Sequence, residues 1–439
     1  MTVTIVGAQL GDEGKGGIVD VLAERADIVV RYQGGDNAGH TVVVGGDTYK
    51  LSLVPSGVIR GTVGVIGNGC VVNPETLFDE LDTLRDRGLD PELYISGRAH
   101  VIMPYHRVLD RAEESLKADD DIAVGTTGRG IGPTYEDKMA RRGIRIAELL
   151  YPDELRTRLE YVVDYKQRLA DALYDGTDQP SAFDVDQLFE TYAGYGDRLR
   201  EEEMVIDAGP YLARRAAAGD QLLYEGAQGT TLDIDHGNYP YTTSSNPTAG
   251  YAATGSGVGP GVIADGEIIG VIKAYLSRVG EGPLPTELEG DLADEIRDRG
   301  GEYGTVTGRP RRIGWLDLPM LRDATRASGF TGLALNHLDV LAGLDEVQIA
   351  VAYELDGEER MTVPSTTQAW AACEPVYRTF DGWPDADWDS VAETGIEVLP
   401  DAALAYATFI ASELDVPLAA VGVGPDRAQT LVLDHPFDD

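Results

Sequence analysis

The feature that most constrains the fold is an alternation along the chain of short apolar runs and longer polar, helix-like stretches. The apolar runs are rich in β-branched residues, which is typical of parallel strands covered by helices on both faces. We therefore predict an α/β fold with a large, mainly parallel central sheet flanked by helices. The clearest predicted strands span residues 3–6, 28–30, 63–66, 268–272, 333–335 and 418–423, and the clearest helices span 18–24, 74–87, 105–116, 152–173 and 402–414.

The length of 439 residues allows either two or three core units or one large α/β domain with an inserted lobe. Hydrophobic residues make up 43 % of the chain, which is enough for a sizeable core. Residues 102–218 look helical and charged, so we expect them to form a helical lobe inserted into the sheet domain. Long segments rich in Gly, Thr and Ser connect the elements, and such loops tend to be functional. They span residues 34–40, 125–132, 225–259 and 301–314.

The acidic charge balance limits the partners of this chain. The formal net charge is −39 and is spread along the whole sequence, so the surface repels nucleic acids and anionic membranes. Only six of the 36 basic residues are lysines. Such a chain repels itself unless counter-ions screen it, and molar salt shortens the screening length to about 3 Å. We interpret the composition as adaptation to high salt, in preference to ordinary acidity.

Cysteine usage and the absence of targeting signals indicate the cytoplasm. Cys70 and Cys373 cannot form a disulfide framework or a metal-ligand cluster. No apolar run reaches transmembrane length, and residues 3–6 have neither the basic region nor the cleavage pattern of a signal peptide.

The first candidate site is the loop GAQLGDEGKG at residues 7–16, between a predicted strand and a predicted helix. Backbone N–H groups in such a turn can face an anion, and Lys15 adds a positive charge. The pattern is P-loop-like but lacks the hydroxyl that ends GxxxxGK[ST]. Asp12 would be repelled by phosphates unless it holds a cation or transfers a proton. The alternative is a structural turn with surface charges.

Two further loops carry chemically useful side chains. The run GGDNAGHT at residues 34–41 places His40 after a segment whose backbone can come close to a ligand, although a lone histidine is more often structural. The run RPRR at residues 309–312 concentrates positive charge in an acidic chain. Guanidinium groups bind carboxylates in a bidentate manner, so this run suits a dicarboxylate better than a solvated surface cluster.

Taken together, these motifs resemble the adenylosuccinate synthetase family. The pair GDEGKG at 11–16 and NAGHT at 37–41 carries the resemblance, and further matches run in order over the whole chain. They are TTGRGIGP at 126–133, YEDK at 135–138 with Arg141, EGAQG at 225–229, DIDHG at 233–237, YPYTTSSN at 239–246, KAY at 273–275, RVG at 278–280, TGRPRR at 307–312, GWLD at 314–317, LDVL at 338–341 and GPDR at 424–427.

The resemblance implies a GTP-dependent ligase that joins L-aspartate to IMP through 6-phosphoryl-IMP, giving adenylosuccinate, GDP and phosphate, the first committed step of AMP synthesis. It implies a single catalytic domain over residues 1–439 and a homodimer in which Arg141 reaches the IMP of the second subunit. Asp12 would be the general base and, with the Gly39 carbonyl, would hold one Mg²⁺ per subunit. His40 would be the general acid, and Lys15 and Gln228 would complete the catalytic set.

The same resemblance implies three sets of substrate contacts. Those to GTP are Asp12, Glu13, Gly14, Lys15, Gly16, Gly17, Ile18, Gly39, His40, Thr41, Arg311, His337, Leu338, Asp339, Gly422, Val423 and Gly424. Those to IMP are Asp12, Glu13, Gly14, Lys15, Asn37, Ala38, Gly39, His40, Thr127, Arg141, Gln228, Thr243 and Arg309. Those to aspartate are Thr305, Val306, Thr307, Gly308, Arg309, Pro310 and Arg311.

Three positions depart from the family pattern. Gly17 and His337 stand where a lysine is usual, and residues 422–424 replace a more polar triplet, which leaves backbone contacts there. Asp339 can still accept the N1–H and amino group of guanine. Two alternatives to the ligase are a GTP-binding switch protein and an inactive paralogue used as a binding module. The first leaves the 309–312 run, Gln228 and Thr243 without purpose, and the second conflicts with an intact Asp12, Lys15 and His40.

Overall fold

A computed structural model describes residues 1–119, 125–173, 179–304 and 308–438. Within these ranges, ten strands form one central sheet, as predicted from the alternation of the sequence. In chain order they are β1 (Thr2–Gly7), β2 (Ile28–Arg31), β3 (Val63–Ile66), β4 (Leu93–Ser96), β5 (Val205–Ile206), β6 (Leu222–Glu225), β7 (Glu267–Lys273), β8 (Gly332–Asn336), β9 (Leu418–Gly422) and β10 (Thr430–Val432).

The spatial order of the central sheet is β10-β9-β8-β7-β1-β6-β2-β3-β4-β5. Every neighbouring pair is parallel except β9 and β10, which are antiparallel at one edge. Strands β1, β2 and β6 are buried along their whole length, since helices cover both faces. The mainly parallel sheet predicted from the sequence is therefore confirmed.

Helices flank the sheet, and all five of the predicted helices are present with bounds that differ by three residues or fewer. In chain order the helices of the described ranges are α1 (Lys15–Leu22), α2 (Pro74–Asp86), α3 (Pro104–Asp119), α4 (Ile131–Met139), α5 (Ile146–Leu149), α6 (Pro152–Leu173), α7 (Val185–Glu201), α8 (Ala208–Ala217), α9 (Gly250–Ser256), α10 (Pro260–Ala264), α11 (Gly290–Arg299), α12 (Leu318–Ser328), α13 (Thr367–Ala371), α14 (Trp388–Thr394) and α15 (Asp401–Leu414).

Smaller strands lie outside the central sheet. Strands His40–Val44 and Asp47–Leu51 form an antiparallel hairpin, and Val71–Val72 pairs with His100–Val101. The remaining strands of the described ranges are Leu276–Arg278, Glu287–Leu288, Arg312–Gly314, Leu316–Asp317, Glu346–Leu355, Glu358–Arg360 and Glu374–Asp381.

The segment 102–218, expected to be an inserted lobe, contains helices α3 to α8. Helices α5, α6 and α7 share an apolar cluster with α2 and β4, through residues such as Leu149, Leu159 and Leu188. At the end of the segment β5 joins the edge of the central sheet, and α8 packs Leu212 against Tyr224 of β6. The excursion away from the sheet therefore lies between β4 and β5. No helix of the described ranges has the length and apolar character that a membrane crossing requires.

Candidate active site

The loops singled out in the sequence meet at one edge of the central sheet. The loop 8–14 follows β1, residues 226–228 follow β6, His337 follows β8 and Gly424 lies just beyond β9. Because the carboxyl ends of parallel strands lie at the same edge, these loops surround one crevice, where ligands of α/β proteins usually bind. The crevice is a cavity of about 1180 Å³, large enough for more than one small ligand.

Most of the residues expected to bind substrates line this cavity. They are Asp12, Gly14, Lys15, Gly16, Gly17, Ile18, Asn37, Ala38, Gly39, His40, Thr41, Thr127, Gln228, Thr243, Arg311, His337 and Gly424.

The first loop folds into an anion cradle at the start of α1. Gly14 is the N-cap with φ 86°, a left-handed conformation that favours glycine, and a Cβ there would lie 2.8 Å from the Asn336 amide nitrogen. That amide donates to the Glu13 carbonyl at 2.7 Å and ties the loop to the end of β8. The free N–H groups of the first turn of α1 therefore face the cavity from a fixed position.

Lys15 lies in the cradle but contacts an acid of the same loop. Its Nζ is 2.6 Å from Glu13 Oε2, and the Glu13 carboxylate is fully buried. The other oxygen, Oε1, accepts from the backbone N–H groups of Gln9 and Gly11 at 3.0 and 2.9 Å. Glu13 thus holds both the loop backbone and Lys15 in place. It does not itself line the cavity.

Asp12 is paired across the cavity with the basic run. Its carboxylate, 37 % exposed, lies 2.9 Å from Nη2 of Arg311. The same guanidinium donates from Nη1 to Glu302 Oε2 at 2.6 Å. Burial lowers the pKa of Arg311, but Asp12 and Glu302 outweigh it and raise that pKa. The arginine therefore stays charged between two carboxylates.

His40 begins the hairpin strand His40–Val44 and is directed into the cavity. Its Nδ1 lies 3.0 Å from the Ala38 carbonyl, so this nitrogen carries the proton of the neutral ring. Nε2 is buried without a hydrogen-bond partner among the described residues and lies 3.6 Å from Glu225 Oε1. Burial lowers the pKa of His40, whereas Glu225 acts in the opposite direction. The ring is poised to accept a proton when negative charge arrives.

Polar side chains lie on the cavity wall opposite His40. The Gln228 amide nitrogen donates to Asn37 Oδ1 at 3.3 Å, and Gln228 Oε1 is buried without a partner in the described ranges. Gln228 itself has φ 55°, a left-handed conformation that is uncommon for a residue other than glycine. Thr127 is exposed and Thr243 half-buried, and both hydroxyls belong to loops that line the cavity.

The residues expected to bind the guanine base of GTP lie at the carboxyl ends of β8 and β9. Burial lowers the pKa of His337 to about 4, so the residue that replaces the usual lysine is neutral. Burial raises the pKa of Asp339 to about 6, and its Oδ1 has no hydrogen-bond partner in the part of the chain described. The cavity lining does not include Leu338, Asp339, Gly422 or Val423.

Other expected residues lie at the margin or outside the described ranges. Thr305, Val306 and Thr307 fall between residues 304 and 308 and are outside the described residues. Gly308, Arg309 and Pro310 are exposed beside that gap and do not line the cavity. Arg141 is exposed just beyond α4, with φ 63°, and is also absent from the lining.

Sequence reasoning missed two residues that organise the site. Glu302 holds Arg311, and Asn336 holds the first loop. An acid directly before a Gly-rich basic loop is the signal that could have identified Glu302. For Asn336 the sequence offers only its place at the end of a strand.

A parallel sheet with a phosphate cradle, a lysine, a carboxylate and a histidine around one cavity defines a nucleotide-binding α/β protein. The family model for adenylosuccinate synthetase matches residues 4–431. Adenylosuccinate synthetases of Halobacterium salinarum and Natronomonas pharaonis are 62 % and 63 % identical to this chain, with complete coverage of both partners. The structure of fully ligated adenylosuccinate synthetase from Plasmodium falciparum superposes with a TM-score of 0.89 at 36 % identity, covering 98 % of this chain and 99 % of that one.

This chain therefore belongs to the adenylosuccinate synthetase family. Membership confirms the expected GTP-dependent ligation of aspartate to IMP. The two relatives come from halophilic archaea, which agrees with the interpretation of the −39 charge as salt adaptation.

Proposed function

We propose that one catalytic domain, spanning residues 1–439 in the cytoplasm, performs the ligation in two steps with Asp12 as base. In the first step Asp12 takes the N1 proton of IMP, and O6 attacks the γ-phosphorus of GTP, which releases GDP. In the second step the aspartate amine attacks C6 and phosphate leaves with its oxygen. Phosphorylation thus turns a poor leaving group into a good one. The convergence of Asp12, Lys15, His40 and Gln228 on one cavity supports this proposal.

His40 would act as the acid that stabilises the charge developing on O6 and the transferred phosphoryl group. With Nδ1–H donating to Ala38, Nε2 can donate only after it gains a proton. Phosphate charge beside the ring would raise its pKa, and Glu225 at 3.6 Å favours the same protonated form. The acid would therefore become active as the nucleotides bind.

Lys15 and the backbone of α1 would hold the phosphates of GTP. Lys15 contacts Glu13 at 2.6 Å, which keeps the cation inside the cradle at a short distance from the free N–H groups. An ammonium group has three donors, so Lys15 can contact a phosphate and keep its contact with Glu13. The base would be bound by Asp339, whose unpaired Oδ1 can accept from guanine.

A Mg²⁺ ion fits the donors at Asp12. The described residues contain no cluster of three or more His, Cys, Asp or Glu side chains that could cage a metal alone. Mg²⁺ is commonly held by one or two carboxylates together with substrate phosphates. Asp12 and the Gly39 carbonyl would supply the protein ligands, and the ion would neutralise charge on the phosphates. Asp12 must first release Arg311, which Glu302 keeps in place.

Aspartate would bind at the loop 305–311, where Arg309 and Arg311 suit its two carboxylates. IMP would contact Asn37, Thr127 and Thr243. We also propose a homodimer in which Arg141, exposed beyond α4, reaches the IMP of the second subunit. The absence of Arg141 from the cavity lining of its own chain is consistent with this proposal.

An isotope experiment tests the reaction sequence. IMP labelled with ¹⁸O at C6 should give labelled inorganic phosphate and unlabelled adenylosuccinate, because the C6 oxygen leaves with the γ-phosphoryl group. The switch-protein alternative predicts GTP hydrolysis without IMP or aspartate and no label in phosphate. Asp12→Asn should abolish turnover, and His40→Asn should lower kcat by about 10²–10⁴-fold. Phosphate that carries no label, or an active Asp12→Asn variant, would contradict the proposal.

A further inference from the structure

One buried acid beside the site takes no part in either step. Glu302 is 1 % exposed and lies directly before the loop 303–310, between α11 and the strand Arg312–Gly314. Its Oε1 lies 2.6 Å from Lys273 Nζ and accepts from the Tyr275 hydroxyl at 2.7 Å. Its Oε2 accepts from Arg311 Nη1 at 2.6 Å. Both oxygens are therefore engaged, and the carboxylate has a fixed orientation.

Backbone hydrogen bonds also join the segment after Glu302 to the segment before Arg312. The N–H of Arg311 donates to the Glu302 carbonyl at 2.9 Å, and the N–H of Gly304 donates to the Arg309 carbonyl at 2.8 Å. A bridge between Tyr303 and Pro310 lies in the same narrow neck. The segments 302–304 and 309–311 are thus joined by contacts of three residue pairs, and only Glu302 and Arg311 are joined by both backbone and side chain.

Glu302 also connects the segment 302–311 to the first loop, residues 7–16. The side-chain amide of Gln9 donates to the Lys273 carbonyl at 3.1 Å and accepts from the Lys273 N–H at 3.0 Å. On the other side, Arg311 Nη2 contacts Asp12 Oδ2 at 2.9 Å. Glu302 lies in the middle of a closed series of contacts that sets the distance between the two loops.

Charge keeps this arrangement intact. Burial raises the pKa of Glu302, but Lys273 and Arg311 outweigh burial and hold the pKa at about 2. The acid is therefore ionised throughout the working range of pH. Lys273 is one of only six lysines in the chain and is 1 % exposed, so it serves this contact rather than solubility.

We propose that Glu302 is a positioning residue for aspartate: it orients Arg311, whose guanidinium would receive a carboxylate of the substrate. The inference rests on the proposed function, which assigns aspartate to Arg309 and Arg311. Without the Glu302 carboxylate, Arg311 would turn toward Asp12 alone. Aspartate binding should weaken, whereas the IMP pocket on the Asn37 and Gln228 side should not.

The test is steady-state kinetics of Glu302→Gln at molar KCl, with each substrate varied in turn. We expect KM for aspartate to rise about 10- to 100-fold, the range for loss of one charge-assisted hydrogen bond, while KM for IMP stays within about twofold. The matched control is Glu295→Gln, which removes one charge from the surface of α11, where Glu295 contacts Arg299. The control should match the wild type in all three KM values. Equal rises for all substrates would show a general structural role and overturn the inference.

Two further variants keep the inference testable if Glu302→Gln folds poorly. Tyr275→Phe removes a single hydrogen bond to the same carboxylate and should raise KM for aspartate a few-fold; an unchanged KM in a folded Tyr275→Phe enzyme would overturn the inference. In a double-mutant cycle, Glu302→Gln and Arg311→Lys should be non-additive in KM for aspartate, because the residues act as one unit. Additive effects would contradict the proposed contact. Arg309→Leu and Arg311→Leu variants that both keep the wild-type KM for aspartate would instead refute the proposed aspartate site, so the two failures are distinguishable.

Discussion

Gly16, in the first turn of α1, allows a direct test of the position of His40. A Cβ added at Gly16 would lie 3.1 Å from His40 Cβ and 3.4 Å from its Cδ2. Carbon atoms pack best at about 3.5–4.0 Å, so Gly16→Ala would push His40 back by a few tenths of an ångström. A displacement of about 1 Å can cost about 10²-fold in rate, so we expect kcat to fall about 3- to 30-fold.

A matched glycine separates the loss of kcat from a general effect on the fold. Alanine replaces glycine in the middle of a helix with a gain of about 0.5–1 kcal/mol. The control is Gly194→Ala in α7, where an added Cβ meets nothing within 4 Å. Gly194→Ala should melt at a higher temperature than the wild type, whereas at Gly16 the close contact with His40 opposes this gain, and only Gly16→Ala should lose kcat. Equal kcat values for the two variants in a coupled assay would refute the assigned position of His40.

Three further predictions concern salt, base recognition and assembly. Dialysis from molar KCl to about 0.1 M should reduce activity and helix content. The screening length then grows to about 10 Å, so the acidic side chains behind the −39 net charge repel one another over a longer range. An unchanged melting temperature would contradict salt adaptation. Asp339→Asn should erode the preference for GTP over ATP. In the wild type KM for GTP should rise as pH falls through about 6, since a protonated Asp339 loses an acceptor; equal kcat/KM for both nucleotides would argue against this contact. Mixing inactive Asp12→Ala and Arg141→Leu proteins should restore part of the activity, because one site of a hybrid dimer carries neither lesion. No recovery after verified subunit exchange would exclude the shared site.

The sequence predicts the fold well because the relevant patterns are local. Runs such as residues 63–66 and 268–272 are β-branched and bounded by turn residues, so each identifies a buried strand by itself. The order of the ten strands depends on contacts between distant segments and could not be obtained in this way. The loops were predicted to form one site only through the family resemblance of their motifs; the structure brings them together because parallel strands end at a common edge.

The sequence does not predict which charges pair. Residue spacing shows that Asp12, Lys15 and Arg311 are present, but not that Asp12 contacts Arg311 while Lys15 contacts Glu13. The partner of Asp12 depends on a distance of a few ångströms between loops separated by about 300 residues, and Lys15 contacts an acid only two positions away in its own loop. Glu302 escaped notice for the same reason, since its three side-chain partners come from β7, the segment after it and the end of its own loop.

The pairing of the cavity cations with internal acids suits the acidic surface that surrounds them. Phosphates and a dicarboxylate approach a chain of net charge −39, whose long-range field opposes them. Lys15 and Arg311 must therefore bind at short range, where molar salt screens them least. An exposed, unpaired cation would instead attract solvent anions, which would have to leave before the substrate binds. Lys15 contacts Glu13, and Arg311 contacts Glu302 and Asp12, so each cation has an internal acid as its partner. The acids beside the cavity thus keep its cations from pairing with the anions of a salt-rich solvent.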